Sequence, residues 1–143
     1  IADDAPEVAR IAPDISSGSC PPLLQDFIEV RGLGLLNVRS MFGDTAIKRS
    51  KYLRLIIHLA HLDDESLAKM DRLTGSYSTR NILGLEIPLV TLPVAPGRNM
   101  AILMETAVRN YILRQAGYDA SEDFVTRQRI AIEQSAEAAE EKD

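Results

Sequence analysis

The sequence predicts a mixed α/β chain that ends in two helices, and three observations carry that reading. Short stretches in the earlier part, "EVARIA", "DFIEV" and "YLRLIIHLAHL", have strand-like alternation or a β-branched centre. Later segments, "MAILMETAVRNYILRQAG" and the residues after "DASE", carry apolar side chains at helical spacing. The 143 residues, 45% hydrophobic and 26% charged, suit one soluble domain with one core.

Each element has a local reason. "EVARIA" (residues 7–12) alternates and is stopped by Pro13. "APDISSGSCPP" crowds Pro, Asp, Ser and Gly together and reads as turn chemistry. "DFIEV" is a second strand. After Gly34, the apolar positions 35, 36, 38, 41 and 42 fit one or two helical turns ended by Gly43. "YLRLIIHLAHL" reads as one strand, on which His58 and His61 point to opposite faces and so do not form a shared metal site. "DDESLAKMDRLTGSYSTRN" reads as a polar loop with some helical turn. "ILGLEIPLVTLPV" is extended, and Pro88 and Pro93 place it near a sheet edge or in broken pairing. Asn99 is the N-cap and Gly117 the C-cap of the helix from Met100. Asp119 and Glu122 form a capping box for the last helix, whose stripe is Phe124, Val125, Ala131 and Ile132. An acidic tail, about residues 133–143, is expected to fray into solvent.

Charge and cysteine usage exclude several classes. The net charge of −5 argues against a nucleic-acid partner. It is uneven: residues 31–54 hold six basic side chains and one acid, either a solvated face or a local attractor for an acidic or phosphorylated partner. Cys20 stands alone, so no internal disulfide is possible, and it has no obvious histidine partner for thiol chemistry. No apolar run reaches the length of a membrane span, and no signal peptide is present; a cytoplasmic protein is expected. The opening "IADDAPEV" lacks an initiator Met and reads as the end of an apolar strand, which predicts a piece of a longer protein.

Three places hold polar groups that a core would not choose. Asp3 and Asp4 follow apolar residues, either as a turn or as carboxylates at a strand end, a position used for general-base or metal-linked chemistry. Glu29 and Arg31 are expected on one face of a strand, beside Gly32 and Gly34, whose backbone allows close approach of a bound group. "VAPGRN" leads into a helix whose free N–H groups and dipole favour an anion, with Arg98 adding a fork suited to phosphate; a plain helix cap is the alternative.

Taken in order, "ADD", "IEVRGLGLLNV…FG", "DRL", "IP…PGRNMA" and "N…LRQAGYDA" resemble the catalytic domain of bacterial HPr kinase/phosphorylase, from Ala2 to about Arg127. The resemblance implies part of a P-loop kinase domain of the phosphoenolpyruvate carboxykinase-like type. It implies ATP-dependent phosphorylation of a serine on the phosphocarrier protein HPr, and removal of that phosphate by inorganic phosphate to give pyrophosphate. It also implies Mg²⁺ and a homo-oligomer, typically a hexamer. By resemblance Asp4 is the residue that takes the serine proton, Arg72 is a catalytic arginine and Glu29 is a magnesium ligand. The signature segment is Ile28, Glu29, Val30, Arg31, Gly32, Leu33, Gly34, Leu35, Leu36 and Asn37. The loop tied to dephosphorylation is Val94, Ala95, Pro96, Gly97, Arg98 and Asn99.

This sequence departs from the family pattern in places. "FGAGA" reads "FGDTA", with Asp44 and Thr45, and Ala95 stands where a basic residue is usual. The family's G-x-x-x-x-G-K-[ST] phosphate loop does not occur in these 143 residues. The expectation is therefore the later part of a catalytic domain, without its P-loop and N-terminal domain and inactive alone. A non-catalytic regulatory or assembly module that keeps only the HPr-binding surface is the competing class.

Overall fold

The computed structural model describes residues 1–140. In chain order the elements are β1 (Glu7–Ala12), β2 (Ile15–Ser19), β3 (Phe27–Val30), β4 (Gly34–Asn37), α1 (Val38–Phe42), β5 (Ser50–Tyr52), β6 (Ile56–Ala60), α2 (Asp64–Lys69), β7 (Tyr77–Ile82), β8 (Leu85–Pro93), α3 (Met100–Gln115) and α4 (Ala120–Glu140). The class is mixed α/β, and the chain ends in two helices as expected. Two compact units are formed, one from residues 1–56 and 78–89, the other from residues 57–77 and the chain from 90 onward.

In the first unit β1, β2 and β5 make an antiparallel sheet with β2 in the middle. The serine-rich stretch read as turn chemistry is therefore a central strand. Ser16 in it is 2% exposed and accepts the Leu53 N–H at its carbonyl, 2.9 Å. Pairing on both sides outweighs the weak intrinsic strand preference of Ser and Gly. That same Leu53 bond explains why "YLRLIIHLAHL" is not one strand. β5 ends at Tyr52 on β2, and β6 starts at Ile56 in another sheet. His58 lies exposed in β6 and His61 past its end, so the face argument made for a single strand does not apply.

A second sheet, in the order β6–β8–β7, makes β8 the middle strand and corrects the expected edge position. β8 is longer than either neighbour, so it need not be paired on both sides at every residue. A proline without an N–H fits where one side is open. Its apolar run supplies the buried Ile87, Val90 and Leu92. β7 and β8 are joined by Leu83 and Gly84, both at positive φ (52° and 80°), the pattern of a type I′ hairpin. In the second unit Ala107 of α3 is buried, and α3 starts on Asn99, whose Oδ1 accepts the Ile102 N–H. It ends with Tyr118 N–H on Leu113 O and Gly117 N–H on Arg114 O, each 3.0 Å, a Schellman closure with Gly117 at φ 89°. Asp119 accepts the Ser121 N–H at the start of α4. α4 continues beyond Ile132 to Glu140, and residues 141–143 of the expected acidic tail lie outside the described residues. Among the described residues no helix is long and apolar enough to cross a membrane.

Candidate active site

The first unit presents Ile28 to Asn37 as one β-hairpin. Ile28 pairs with Leu36, Glu29 with Leu35 and Val30 with Gly34. Leu33 N–H donates to Val30 O at 2.9 Å and closes the turn. Gly32 and Gly34 sit at φ 90° and 84°, where other residues are strained, and a Cβ at either would meet nothing within 4 Å. The glycines thus answer first to backbone conformation, and the space around them is open. Arg31 corrects an expectation. The strand ends at Val30, so Arg31 opens the turn and shares no strand face with Glu29. Among the described residues no ion pair joins the two. Asn37 closes the hairpin and caps α1, its Oδ1 accepting the Ser40 N–H at 2.8 Å.

Asp3 and Asp4 are exposed and form a bend, with no strand in residues 1–6. The strand-end placement is therefore not seen. A strand needs a partner for its backbone groups, and none of the described strands pairs with these residues. What holds the bend is Asp3: its Oδ2 accepts the Glu29 N–H at 2.8 Å. That bond brings the Asp3–Asp4 bend to the strand that carries Glu29. The sequence marks the two aspartates but not the bond from Asp3 to the Glu29 N–H.

In the second unit Arg72 and Arg98 line one open cleft of about 500 Å³, together with Leu67, Ala68, Met70 and Asp71. Arg98 is presented by a tight turn. Its N–H donates to Ala95 O at 3.3 Å, with Pro96 and then Gly97 (φ 79°) at the two central positions, the type II pattern. Val94 N–H donates to Ala60 O at 2.8 Å and anchors the loop to the end of β6. Arg72 is presented by a loop that Asp71 organises. The Asp71 Oδ1 accepts the N–H groups of Leu73 (2.8 Å) and Thr74 (2.9 Å). Bonds from Thr74 and then Leu73 hold its carboxyl below the ordinary range. The loop is also fastened by Ser121, whose hydroxyl donates to Leu73 O at 2.8 Å. Guanidinium forks match phosphate oxygens in charge and geometry.

Comparison with known proteins places the chain in a family. Residues 1–128 match the family described as HPr Serine kinase C-terminal domain. The chain belongs to this family. It is 54% identical over 134 residues to proteins named HPr kinase/phosphorylase from Xylella fastidiosa (strain M12), Xanthomonas campestris pv. campestris (strain B100) and Stenotrophomonas maltophilia (strain K279a). These matches cover 93% of this chain, which spans 42% of the length of those relatives. The solved Hpr(Ser) kinase/phosphatase from Coxiella burnetii superposes with a TM-score of 0.73 at 34% identity, covering 87% of this chain and 74% of that one.

Within the HPr Serine kinase C-terminal domain, the residues that sequence reasoning missed are those that hold others in place. Asp71 is the clearest. Asp71→Ala in the full-length protein is expected to free the Leu73 and Thr74 N–H groups and lower turnover by about 10-fold, because a misplaced charge loses much of its effect. Asp71→Asn keeps an acceptor oxygen and is expected to retain most of the activity. The lowered carboxyl makes the sign definite: the stabilisation is fully present above the ordinary value of 3.8 and is lost only as pH falls through the lower folded value. Rates of the two variants between pH 6 and 8 should therefore differ by a constant factor. Equal loss in both would show that Asp71 does not act through these bonds.

Proposed function

We propose that this chain supplies part of the active site of a serine kinase and phosphorylase acting on HPr. The observation that carries the reading is that Arg72 and Arg98 line the same cleft. Phosphoryl transfer needs positioning and charge neutralisation more than covalent help, and two forks on one phosphate site provide both.

In the forward direction the serine oxygen of HPr attacks the terminal phosphorus of ATP, Asp4 takes the hydroxyl proton and ADP departs. In the other direction an oxygen of inorganic phosphate attacks the phosphoserine phosphorus. The serine oxygen leaves, recovers its proton from Asp4, and pyrophosphate forms. Arg72 neutralises charge on the transferred group, and Arg98 holds the second phosphate. Glu29 fits a Mg²⁺ role of limited kind. Its carboxylate is exposed on the hairpin, and among the described residues it has no ion-pair or hydrogen-bond partner and belongs to no cluster of three ligand side chains. That suits an ion held by one carboxylate, by substrate phosphates and by water. When bound, Mg²⁺ would neutralise phosphate charge. The phosphate loop that would hold ATP is not found in this sequence, so ATP binding belongs to the full-length protein. A cytoplasmic hexamer is the assembly we propose, in line with the family.

The test assays the full-length protein with HPr and ATP, and with phospho-HPr and inorganic phosphate. Both conversions are expected, and Glu29→Gln should raise the Mg²⁺ concentration for half-maximal rate by about 10-fold, as loss of a charged oxygen ligand from a hard cation does. Binding of HPr without either conversion would favour a regulatory module. An unchanged Mg²⁺ requirement would remove Glu29 from the metal site.

A further inference from the structure

We propose that Arg39 is a positioning residue, which closes the base of the signature hairpin through Asp26 and Asp44 and thereby fixes where Glu29 stands. The inference rests on the reading of Glu29 given above.

Asp26 immediately precedes Phe27, the first residue of β3, and Arg39 lies in α1, directly after β4. The two residues meet as a fork on a carboxylate: Arg39 Nε donates to Asp26 Oδ2 at 2.6 Å and Nη2 to Oδ1 at 3.1 Å. The backbone repeats the tie, since Val38 N–H donates to Asp26 O at 2.8 Å. Gln25 Nε2 donates to Asp26 Oδ1 at 2.8 Å and completes the set. Asp26 sits at φ 73°, a left-handed conformation that non-glycine residues adopt seldom and that Asp and Asn tolerate best. The entry to the hairpin is thus held in an uncommon backbone state by a side-chain fork from its exit.

Asp44 is the third member. Arg39 Nη1 donates to its Oδ1, at a position where the family pattern quoted above has no carboxylate. The Asp26 side chain is 17% exposed and that of Asp44 83%. The inner pair therefore sets the geometry, and the outer carboxylate adds a second anchor for the same guanidinium. Arg39 and then Gln25 hold the Asp26 carboxyl below its usual range, so the fork stays ionic at neutral pH. Glu29 lies three residues past Asp26, in the hairpin itself, so slack at the base moves its carboxylate. Displacement of a working group by about 1 Å can cost on the order of 100-fold in rate.

The experiment uses the full-length protein with Asp26→Asn, Arg39→Lys, their combination, and Asp44→Ala. Two quantities are read: the Mg²⁺ concentration for half-maximal rate, and the hydrogen exchange of the Glu29 and Leu33 amides. Asp26→Asn keeps the shape and tolerates the left-handed backbone. Arg39→Lys keeps the charge but not the fork. Each is expected to raise the Mg²⁺ requirement by about 10-fold and to speed exchange of both amides, and the combination is expected to be no worse than either alone, because one interaction is removed. Asp44→Ala leaves the inner fork in place, so it keeps the question open to test if an inner variant fails to fold. It should give both changes in smaller measure. Variants that melt at lower temperature with Mg²⁺ requirement and hairpin exchange unchanged would overturn the proposal. If exchange quickens while neither these variants nor Glu29→Gln alters the Mg²⁺ requirement, the clamp stands and the Glu29 reading falls.

Discussion

Asp4→Asn in the full-length protein is expected to lower both the ATP-dependent phosphorylation of HPr and its phosphate-dependent reversal by about 10²–10⁴-fold, the usual worth of a general acid–base group. Both directions must suffer, because the proton that leaves the serine hydroxyl in one returns to the serine oxygen in the other. The fold should survive. Asp4 is exposed in a bend, and the bond that ties this bend to β3 is made by its neighbour. Asp3→Asn gives the contrast. An amide oxygen can still accept the Glu29 N–H, so Asp3→Asn should cost far less than Asp4→Asn. Circular dichroism and initial rates in each direction decide the matter. Near-normal turnover of Asp4→Asn in either direction would remove it from the role, and a larger loss at Asp3 would reverse the assignment.

How far such a site can be read from sequence depends on whether its determinants are local. The Arg98 turn was legible because Pro followed by Gly favours a tight turn through local backbone preference, and the Asn99 cap and Gly117 closure are equally local signals. The Asp3 tether was not legible, because it joins a side chain to a backbone N–H 26 residues away. The same holds for the Asp26–Arg39 fork. "ISSGS" misled for a related reason: its strand state comes from two partners, β1 and β5, not from its own residues. The β7–β8 hairpin was hidden by Leu83, which takes the left-handed position where Asn or Asp is the usual signal. Its carbonyl accepts a bond from Arg10, another contact distant in sequence. The central place of β8 was concealed by Pro88 and Pro93, whose effect depends on which neighbour faces them and not on their presence alone.

The second large effect is expected at Arg98, and it should be unequal between the two directions. In the proposed phosphorolysis inorganic phosphate enters a site that already holds a phosphate group, so one more anion must be neutralised than the forward acceptor hydroxyl requires. Arg98 faces the cleft that Arg72 also lines, and its loop ends at the start of α3, where the helix dipole favours an anion. Ala95 offers no second charge. Arg98→Ala is therefore expected to lower phosphate-dependent dephosphorylation by about 10- to 100-fold, the equivalent of one charge-assisted hydrogen bond of roughly 1.5–3 kcal/mol. ATP-dependent phosphorylation should fall by a much smaller factor. Ala95→Lys should shift the balance the other way, because Ala95 is the first residue of the turn, where a lysine disturbs neither the Pro96 nor the Gly97 conformation. Initial rates of the parent and both variants at matched Mg²⁺, in separately chosen forward and reverse conditions, measure the selectivity. The overall equilibrium cannot, since it is fixed by the reactants. Arg72→Ala is the internal control: a charge on the transferred phosphoryl group serves both directions and should depress both alike. If Arg98→Ala also depresses both by one factor, the loop is a general positioning element, and Arg98 has no special claim on the second phosphate.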